Sequence, residues 1–316
     1  MILDGTPHHG TPALLVRPVI LAFMPQPLVS VVTPCLNAAR YIEETIASVL
    51  AQEYPNIEYL AMDGGSTDGT VDILKRYEGK LRWQSRPDGG QADAVNRGFG
   101  QTSGEIFAFL NADDTYLPGA VLRAVEAFAA NPNAEVVYGN AWYIDEQGRH
   151  LSRYPVEAFD AERLERRCII CQPATFIRRG AFAAVHGVDA RLRFAMDYDL
   201  WIRLSADRQF VKLDSDMAAS RLHSGAKTVA QTAAAMRETI GVLKRHYGYA
   251  PYNWIYGYAH QRLTGEPLAA TRPRMSFASA GRALALGFGY NWRHPIRYCR
   301  DVLATAREGI AWASQP

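Results

Sequence analysis

Cysteine is scarce in this sequence, and its scarcity excludes several classes of protein. The four cysteines, Cys35, Cys168, Cys171 and Cys299, are too few and too scattered for a disulfide framework. Cys168 and Cys171 form a Cys-x-x-Cys pair, but no second pair or histidine cluster stands nearby in the sequence to complete a zinc site. We therefore expect buried, reduced thiols at this pair in preference to zinc or redox chemistry.

Excess charge and long apolar runs are also missing. Lys and Arg total 34 and Asp and Glu total 32, a net charge of +2, which gives no reason to expect a nucleic-acid partner. The longest apolar stretch, residues 13–23, is interrupted by Arg17 and Pro18 and is shorter than the roughly 20 residues that a membrane helix needs. We expect residues 1–27 to form a poorly ordered leader, with Met24 as an alternative start, and the protein to be cytoplasmic.

Short apolar runs alternate with helical patterns in the first half of the chain. The predicted strands are 29–34, 57–62, 81–85, 106–110 and 136–138, and the helical patterns lie near 37–50, 71–77, 92–99 and 118–130. This alternation predicts an α/β fold with a mostly parallel sheet and helices on both faces. Ligands bind at the carboxyl ends of such strands, and acidic or glycine-rich segments follow each of the first four strands here.

Two of these segments carry the chemistry. Residues 63–70, Asp-Gly-Gly-Ser-Thr-Asp-Gly-Thr, lack the final glutamate of an EF-hand and the Gly-Lys-Ser/Thr ending of a P-loop. Asp63 can accept a hydrogen bond from a base, although Thr67 or Asp68 acting only as a helix cap is an equal alternative. Residues 111–114, Asn-Ala-Asp-Asp, place two acids after an apolar strand, which favours Mg²⁺ or Mn²⁺. The alternative is that Asp114 caps the next helix.

Together these segments resemble glycosyltransferase family 2, inverting enzymes with the GT-A fold, over about residues 28–230. The segments that carry the resemblance, in order, are 29–37, 63–70, Asp88-Gly89-Gly90 with Asn96-Arg97-Gly98, 111–114, 196–204 and 220–225. The resemblance implies transfer of a sugar from a nucleoside diphosphate sugar, with UDP or dTDP favoured, to a hydroxyl of a glycan or lipid-linked glycan. That activity fits the biosynthesis of cell-envelope polysaccharides.

The resemblance also implies roles for individual residues. Asp113 and His223 match the metal ligands, for Mn²⁺ or Mg²⁺, and Asp197 matches the catalytic base. Asp63 matches the acid that binds a pyrimidine ring. The residues that match the nucleotide-sugar site are Thr33, Pro34, Asn37, Asp63, Gly65, Ser66, Asp88, Gly89, Asn96, Arg97, Asn111, Ala112, Asp114, Gln172 and Arg221.

Two departures from the family pattern leave alternatives open. Asn111 replaces the first acid of the Asp-x-Asp signature, and Met196 replaces the acid that often precedes the base. Asp199 is a rival base, but it lies in a different helical phase from Asp197 and is more easily explained by structural pairing. Gln172 either touches the ligands or is a buried structural amide, and Trp201 is either an acceptor platform or, more simply, part of the core.

The predicted catalytic domain spans residues 28–231, with a nucleotide-binding half at 28–140 and an acceptor half at 141–231, and residues 232–316 form a helical C-terminal region. Residues 272–316 contain seven arginines, two acids and several aromatic residues. This composition suits peripheral contact with an anionic membrane, on the inner face of the cell membrane, or else packing on the catalytic domain or in a homodimer.

Two other functions compete with sugar transfer. A nucleotidyltransferase needs a glycine-rich loop with a basic residue after the first strand, where this chain has Thr33-Pro34-Cys35-Leu36-Asn37. A non-catalytic scaffold that binds nucleotide sugars would explain Asn111 and Met196, whereas the intact Asp113, Asp197 and His223 argue against it.

Overall fold

The computed structural model describes residues 26–265 and 276–313, so the predicted leader, 1–27, lies outside the description except for its last two residues. The strands are β1 (Val29–Cys35), β2 (Ile57–Asp63), β3 (Arg82–Ser85), β4 (Ile106–Phe109), β5 (Thr115–Tyr116), β6 (Ala134–Ile144), β7 (His150–Arg153), β8 (Thr175–Arg178) and β9 (Gln209–Arg221). The helices of the first 200 residues are α1 (Ile42–Leu50), α2 (Thr70–Arg76), α3 (Gln91–Gly100), α4 (Ala120–Ala130), α5 (Ala161–Arg166), α6 (Arg179–Ala184) and α7 (Met196–Leu204). Those that follow are α8 (Lys227–Ala230), α9 (Thr232–Tyr247), α10 (Tyr252–Thr264), α11 (Phe277–Tyr290) and α12 (Pro295–Ala313).

The strands form one mixed sheet in the order β3-β2-β1-β4-β8-β6-β9-β5, with β7 paired to β6. The pairs β3-β2, β2-β1 and β1-β4 are parallel. Strand β8 runs antiparallel to both β4 and β6, and β6 and β9 are parallel again. The predicted parallel sheet is therefore confirmed for the half of the fold that carries the glycine-rich and acidic loops.

The central strands are buried on both faces, which explains their nearly continuous apolar sequence. In β1, Val29 and Val31 contribute to one apolar cluster and Val32 to the other. In β4, Ile106 likewise packs on the first face and Phe107 on the second. Helices α1, α2 and α4 cover the first face, and α3, α6 and α7 cover the second. The predicted arrangement of helices on both faces is confirmed.

Helix α3 lies unusually close to the sheet. A Cβ atom added at Gly98 would lie 2.5 Å from Val32 Cγ1 and 3.2 Å from Met62 Cγ. Real Cβ atoms do not approach that closely, so the glycine of the Asn-Arg-Gly segment is needed for packing. It allows α3, and the loop before it, to sit directly over the carboxyl ends of β1 and β2.

Neither Asn37, which precedes the first helical pattern, nor Asp114, for which a cap was the alternative role, caps a helix. Asn37 does not cap α1, which begins at Ile42 without a side-chain cap; its φ of 50° turns the chain, and its Oδ1 accepts a hydrogen bond from Thr67 N at 2.9 Å. Asp114 does not cap α4, which begins at Ala120, because the intervening residues include the short strand β5. Both side chains connect loops of the sheet edge instead.

The C-terminal region is helical where it is described, as predicted, and has an apolar cluster of its own that includes Ile255, Ala283 and Tyr298. Helix α9 also belongs to the catalytic half, because Val242 and Leu243 are fully buried in the cluster beneath α7. Within residues 26–265 and 276–313, no helix is both long enough and apolar enough to span a bilayer.

Candidate active site

The glycine-rich and acidic loops meet at one edge of the sheet. Cys35 pairs with Asp63, and Asp63 pairs with Ser85, so β1, β2 and β3 end side by side. Strand β4 ends at Phe109, and Leu110 N donates to Val32 O on β1 at 2.9 Å. The four loops that follow these strands therefore meet at one edge of the sheet, and we call the space between them the cleft.

Asp63 organises the loop after β2. Its carboxylate is 2% exposed and accepts hydrogen bonds from Gly65 N at 3.0 Å, Ser66 N at 2.9 Å and Ser85 Oγ at 2.6 Å, and from the Ser66 hydroxyl. Gly65 has a φ of 91°, which a residue with a side chain rarely adopts. The carboxylate is thus already satisfied by the loop that it holds, and the expected contact with a base has to compete with these donors.

Asn37 joins the first two loops. Its backbone N–H donates to Ser66 Oγ at 2.7 Å, in addition to the bond between its side chain and Thr67. Thr33 is fully buried, with its hydroxyl 3.0 Å from Tyr59 Oη, and Pro34 is buried beside it. Since both side chains are buried, any contact of Thr33 or Pro34 with a ligand would have to run through the backbone, and that contact stays a prediction.

Asp88 is the second acid at this corner. Its Oδ1 accepts a hydrogen bond from Gly90 N at 2.8 Å, and its carboxylate atoms lie 3.1 to 3.3 Å from the position that a Cβ on Gly64 would occupy. The side chain is only partly buried. Gly89 N donates to Asp93 Oδ2 at 3.0 Å, which fixes the loop at the start of α3. Compared with Asp63, Asp88 keeps more hydrogen-bonding capacity for a ligand.

Asn111 is the centre of a chain of amides. Its Oδ1 accepts from Gln91 Nε2 at 2.6 Å, and its Nδ2 lies 3.1 Å from both Asp114 Oδ2 and Gln172 Oε1. Gln172 is 7% exposed, and its Nε2 donates to Phe109 O at 2.5 Å. Gln172 is thus buried and hydrogen-bonded within the protein, and its contact with the ligands stays a prediction. A carboxylate in place of Asn111 would face two oxygen acceptors.

Asp113 and His223 form the convergent pair at the mouth of the cleft. Asp113 Oδ2 lies 3.0 Å from His223 Nε2, and their side chains are 32% and 12% exposed. The His223 ring also packs against Tyr41, with ring centroids 4.8 Å apart. Within the described residues, no group of three or more His, Cys, Asp and Glu side chains that could hold an ion is present. A cation at this pair would need further ligands from a bound molecule or water.

Arg221 positions this acidic segment from below. Its side chain is 1% exposed, and its guanidinium donates to Asp113 O at 3.0 Å and forms an ion pair with Glu44. Its backbone N–H donates to Asp114 Oδ1 at 3.0 Å. Because these groups use the guanidinium within the protein, the geometry gives Arg221 an indirect role. Its contact with a nucleotide sugar stays a prediction.

Asp114 is buried, with 3% exposure. Burial, reinforced by the charge of Asp113, raises the pKa of Asp114 to about 8, and the hydrogen bonds from Arg221 and Asn111 oppose that rise. Because Asp114 is buried and hydrogen-bonded within the protein, Asp113 is the more exposed acid of this segment.

Asp197 stands in the first turn of α7. Its Oδ1 accepts a hydrogen bond from Tyr198 N at 2.8 Å, and burial raises the pKa of Asp197 to about 6. Both Asp197 and Asp114 act electrostatically on the buried thiol of Cys171, which precedes Gln172. Cys171 is thus a common neighbour of Asp197 and of the acidic segment.

The neighbouring Asp199 has a different environment. It is 1% exposed and is hydrogen-bonded to Arg203 Nε at 2.7 Å and His246 Nε2 at 2.8 Å. Burial opposes ionisation, but these bonds outweigh it and hold the pKa of Asp199 below its ordinary value. Asp199 is thus a paired structural carboxylate. Trp201 is fully buried, so its interpretation as an acceptor platform is wrong and the core role is confirmed.

Comparison with known proteins identifies the family. Residues 30–185 match the sequence model described as glycosyl transferase family 2. A PGL/p-HBAD biosynthesis glycosyltransferase of Mycobacterium bovis is 32% identical over 185 residues, which cover 57% of this chain and 70% of that protein. The chain belongs to glycosyl transferase family 2. An uncharacterized glycosyltransferase of Rickettsia felis is 30% identical over 213 residues, 63% of this chain, but the match spans only 35% of the length of the rickettsial protein.

Solved structures of similar fold confirm the predicted GT-A fold. S. aureus TarS 1–349 in complex with UDP-GlcNAc has a TM-score of 0.56 at 17% identity, covering 83% of this chain and 81% of that chain. The mannosyltransferase PcManGT from Pyrobaculum calidifontis, in complex with GDP-Man and Mn²⁺, has a TM-score of 0.54 at 18% identity, covering 96% and 95%.

Some predicted site residues of this family 2 chain are bonded to other residues of the protein or are buried. Asn96 exchanges hydrogen bonds with the backbone of Val188, at 2.8 and 3.0 Å, and therefore anchors a loop beyond α3. Arg97 lies 3.4 Å from Asp93 Oδ2. Ala112 is 7% exposed between Asn111 and Asp113. Roles for these residues in binding the nucleotide sugar stay predictions.

The sequence reasoning missed Gln91 and Lys227. Lys227 Nζ donates to Gln91 Oε1 at 3.0 Å and so extends the amide chain across the cleft. Partial burial, together with Arg193, lowers the pKa of Lys227, and Asp113 is first among the carboxylates that oppose this shift. The sequence positions of both residues could have indicated them as site residues. Gln91 follows the glycine-rich loop directly, and Lys227 comes four residues after His223.

Proposed function

We propose that this chain transfers a sugar from a nucleoside diphosphate sugar to an acceptor hydroxyl, with inversion, and that Asp197 is the general base. The observation that carries the proposal is Asp197, a partly buried carboxylate whose pKa is raised by burial to about 6 and which shares Cys171 as a neighbour with Asp114 of the acidic segment. A base with a pKa close to working pH is ionised and still basic enough to accept a proton. Family membership supports the reaction class.

The Asp113–His223 pair supports a metal-assisted reaction. A carboxylate oxygen and an imidazole nitrogen are both suitable ligands for Mn²⁺, and Mg²⁺ is commonly held by one or two carboxylates and by phosphate oxygens. The two side chains already converge to 3.0 Å, so they fit a site that the donor diphosphate completes. When bound, the cation would neutralise charge that develops on the departing diphosphate.

The remaining steps belong to side chains of the chain itself. Asp197 accepts the proton of the acceptor hydroxyl as that oxygen attacks the anomeric carbon. Lys227, anchored on Gln91, adds positive charge beside Asp113, where the diphosphate leaves. Attack opposite to the departing group inverts the anomeric configuration, and no covalent intermediate on the protein is required.

Asp88 and Asp63 support a pyrimidine donor, UDP or dTDP, in different ways. Asp63 holds the loop against which the base would lie, whereas Asp88 has a partly exposed carboxylate that can accept a ring N–H. TarS was solved with UDP-GlcNAc and PcManGT with GDP-Man, so the shared fold is compatible with more than one base.

A glycan or lipid-linked glycan is the proposed acceptor, and the surface of α11 and α12 supports contact with an anionic membrane. The exposed apolar residues of this surface are Phe277, Leu284, Phe288, Trp292, Ile296 and Leu303. The exposed arginines among them are Arg282, Arg293, Arg297, Arg300 and Arg307, and Arg297 forms an ion pair with Glu165. The one acid of residues 276–307, Asp301, is 10% exposed and bound to Tyr249 and Tyr252. Apolar and basic side chains without exposed acids suit the headgroup region of anionic lipids.

Titration calorimetry tests the donor site. UDP, dTDP, GDP and CDP are titrated into the protein with Mn²⁺ and with EDTA, and the titrations are repeated on Asp113→Ala. We expect one pyrimidine diphosphate to bind only with metal and Asp113→Ala to lose that binding. Asp72→Ala is the matched control, because Asp72 is exposed on α2 and its ion pair within the described residues is with its helix neighbour Lys75. If no nucleotide binds in either condition, the proposed function is wrong. Binding without turnover of any donor would favour the non-catalytic scaffold.

A further inference from the structure

Glu238 on helix α9 makes an unusual set of contacts with the backbone just before α7. Its Oε1 accepts hydrogen bonds from Phe194 N at 2.7 Å, Ala195 N at 2.8 Å and Arg193 N at 3.1 Å. Its Oε2 lies 3.0 Å from the same Arg193 N. Three consecutive backbone N–H groups thus converge on one carboxylate from a distant part of the chain.

The physical reason lies in the start of α7. The first N–H groups of a helix have no partner within the helix, and its N-terminus carries partial positive charge. Ala195, the residue before the helix, has no side chain that can cap it, and Met196 is apolar and 5% exposed in the core. Residues 193–195, which lead into the helix, carry no acceptor side chain of their own, and Glu238 supplies one from α9.

Asp197 depends on this arrangement because it is the second residue of α7. The hydrogen bond of its carboxylate within the described residues runs to the backbone of the next residue, Tyr198 N. Its direction is thus set by the first turn of the helix and not by a partner across the cleft. Whatever fixes residues 193–195 also fixes where the Asp197 carboxylate points.

We propose that Glu238 is a positioning residue for the base, and that α9 thereby completes the active site. The inference rests on the proposed role of Asp197. It gives the C-terminal helical region, residues 232–316, a catalytic purpose, because α9 (Thr232–Tyr247) is the first long helix of that region. A displacement of about 1 Å in a reacting group can reduce turnover by about 100-fold, so a clamp on the base segment matters to rate.

The charge of Glu238 provides a readout that a purely structural role would not move. The titratable groups that act on Asp197 or are acted on by it are Glu238 on α9, Tyr154 after β7, and Cys168 and Cys171 before β8. Burial raises the pKa of the phenol and of both thiols, so these groups stay neutral near pH 7. Of the four groups just named, Glu238 is therefore the charged one. Its negative charge raises the pKa of Asp197.

The test compares Glu238→Gln, Glu238→Asp and the exposed control Glu126→Gln. Turnover is followed as release of nucleoside diphosphate from UDP-glucose, UDP-N-acetylglucosamine and GDP-mannose with Mn²⁺ and water as acceptor. We expect Glu238→Gln to lower kcat by about 10- to 100-fold with a smaller change in KM, because the base moves whereas the donor site loses only the electrostatic effect of Glu238 on Lys227. The acidic limb of the pH–rate profile of Glu238→Gln should move to lower pH, because a negative neighbour of Asp197 is removed. Glu238→Asp keeps the charge, so its limb stays in place even though its shorter reach lowers kcat.

A titration without substrate keeps the test decisive if none of these donors turns over. The ¹³C signal of the Asp197 carboxyl, identified by its loss in Asp197→Asn, is followed from pH 4 to 8. We expect its midpoint to fall in Glu238→Gln and to stay in Glu238→Asp. An unchanged midpoint in Glu238→Gln would overturn the inference.

A double-variant cycle separates failure of this inference from failure of the proposed function. In the Asp197→Asn background, Glu238→Gln should have no further effect on turnover, because the base that it positions is gone. An undiminished rate in Asp197→Asn would mean that the base lies elsewhere and that the proposed function is wrong. An inactive Asp197→Asn together with a fully active Glu238→Gln would overturn only the positioning role.

Discussion

Replacement of Asp197 by asparagine changes stability and activity in opposite directions. Burial raises the pKa of Asp197 to about 6, against about 3.9 for an unperturbed aspartate. A difference of about two pKa units corresponds to about 3 kcal/mol. Between about pH 4 and 6 the folded state keeps a proton that the unfolded state has lost, so stability falls as pH rises through this window. Above pH 6 the full cost is present, and a neutral asparagine does not incur it.

Two effects reduce the stability that Asp197→Asn gains by removing this charge. The carboxylate charge in the first turn of α7 interacts favourably with the helix dipole, by about 0.3–1 kcal/mol, and this is lost in the variant. Part of the Asp197 side chain is also exposed, and solvent screens its charge. The hydrogen bond to Tyr198 N can be kept by the amide oxygen. We therefore expect Asp197→Asn to stabilise the fold at pH 7.5 by about 1–2 kcal/mol, or a few degrees in Tm.

Activity should move the other way. Asparagine cannot accept the proton of the acceptor hydroxyl, so kcat should fall by about 10²- to 10⁴-fold. In the unmodified protein, turnover should fall about tenfold per pH unit below pH 6, as Asp197 becomes protonated. A plateau above pH 6 completes the profile.

Thermal unfolding at pH 4.5 and pH 7.5, together with turnover, checks both parts. The Tm gain of Asp197→Asn should be present at pH 7.5 and mostly absent at pH 4.5. Asp199→Asn is the matched control, two residues away: its carboxylate is stabilised by Arg203 and His246, so this variant should lower Tm at pH 7.5. A variant at Asp197 that unfolds at or below the Tm of the unmodified protein at pH 7.5 would refute the account of a buried, destabilised base.

Three further outcomes are expected. Asp63→Asn should lower Tm, because the carboxylate accepts several hydrogen bonds, whereas Asp88→Asn should weaken nucleotide binding in calorimetry and leave Tm unchanged. Asn111→Asp should lower Tm in EDTA, because its oxygens would face two acceptors, and Mn²⁺ should restore the loss; equal Tm values in EDTA would contradict this. Serine at Phe288 and Trp292 should abolish sedimentation with phosphatidylglycerol vesicles, whereas altered dimerisation with unchanged sedimentation would identify the surface as a dimer interface.

The sequence was sufficient for the part of the fold in which local pattern and burial agree. Strands such as Val29–Cys35 and Ile106–Phe109 are buried on both faces, so their apolar runs are conspicuous. Because parallel strands end at one edge, the loops after them were expected to meet, and they do. The Asp113–His223 pair, 110 positions apart, was proposed from motif order, and the two side chains are in contact.

Other parts depend on contacts that no local pattern encodes. Asn37 is a residue type that often caps helices, yet its side chain and backbone N–H form hydrogen bonds with the loop after β2. Asp63 resembles a ligand-binding acid by position, and only its surroundings show that it is already satisfied. Glu238 is an ordinary helix residue in the sequence, 41 positions beyond Asp197, and its role becomes visible only where α9 meets α7.

The sequence predicts that the catalytic domain ends at residue 231, whereas in the structure helix α9 packs into the core of that domain. A chain that ends at residue 231, the predicted boundary, would lose Val242 and Leu243, each worth about 1.5–3 kcal/mol when buried. It would also leave the buried Asp199 without His246. This loss is comparable with the 5–15 kcal/mol that stabilises a typical protein, so we expect the shortened chain to aggregate or to unfold at a much lower Tm. A chain that ends at residue 264 keeps α9 and should still bind nucleotide. If the chain ending at 231 matched the full chain in both Tm and nucleotide binding, α9 would be a true appendage.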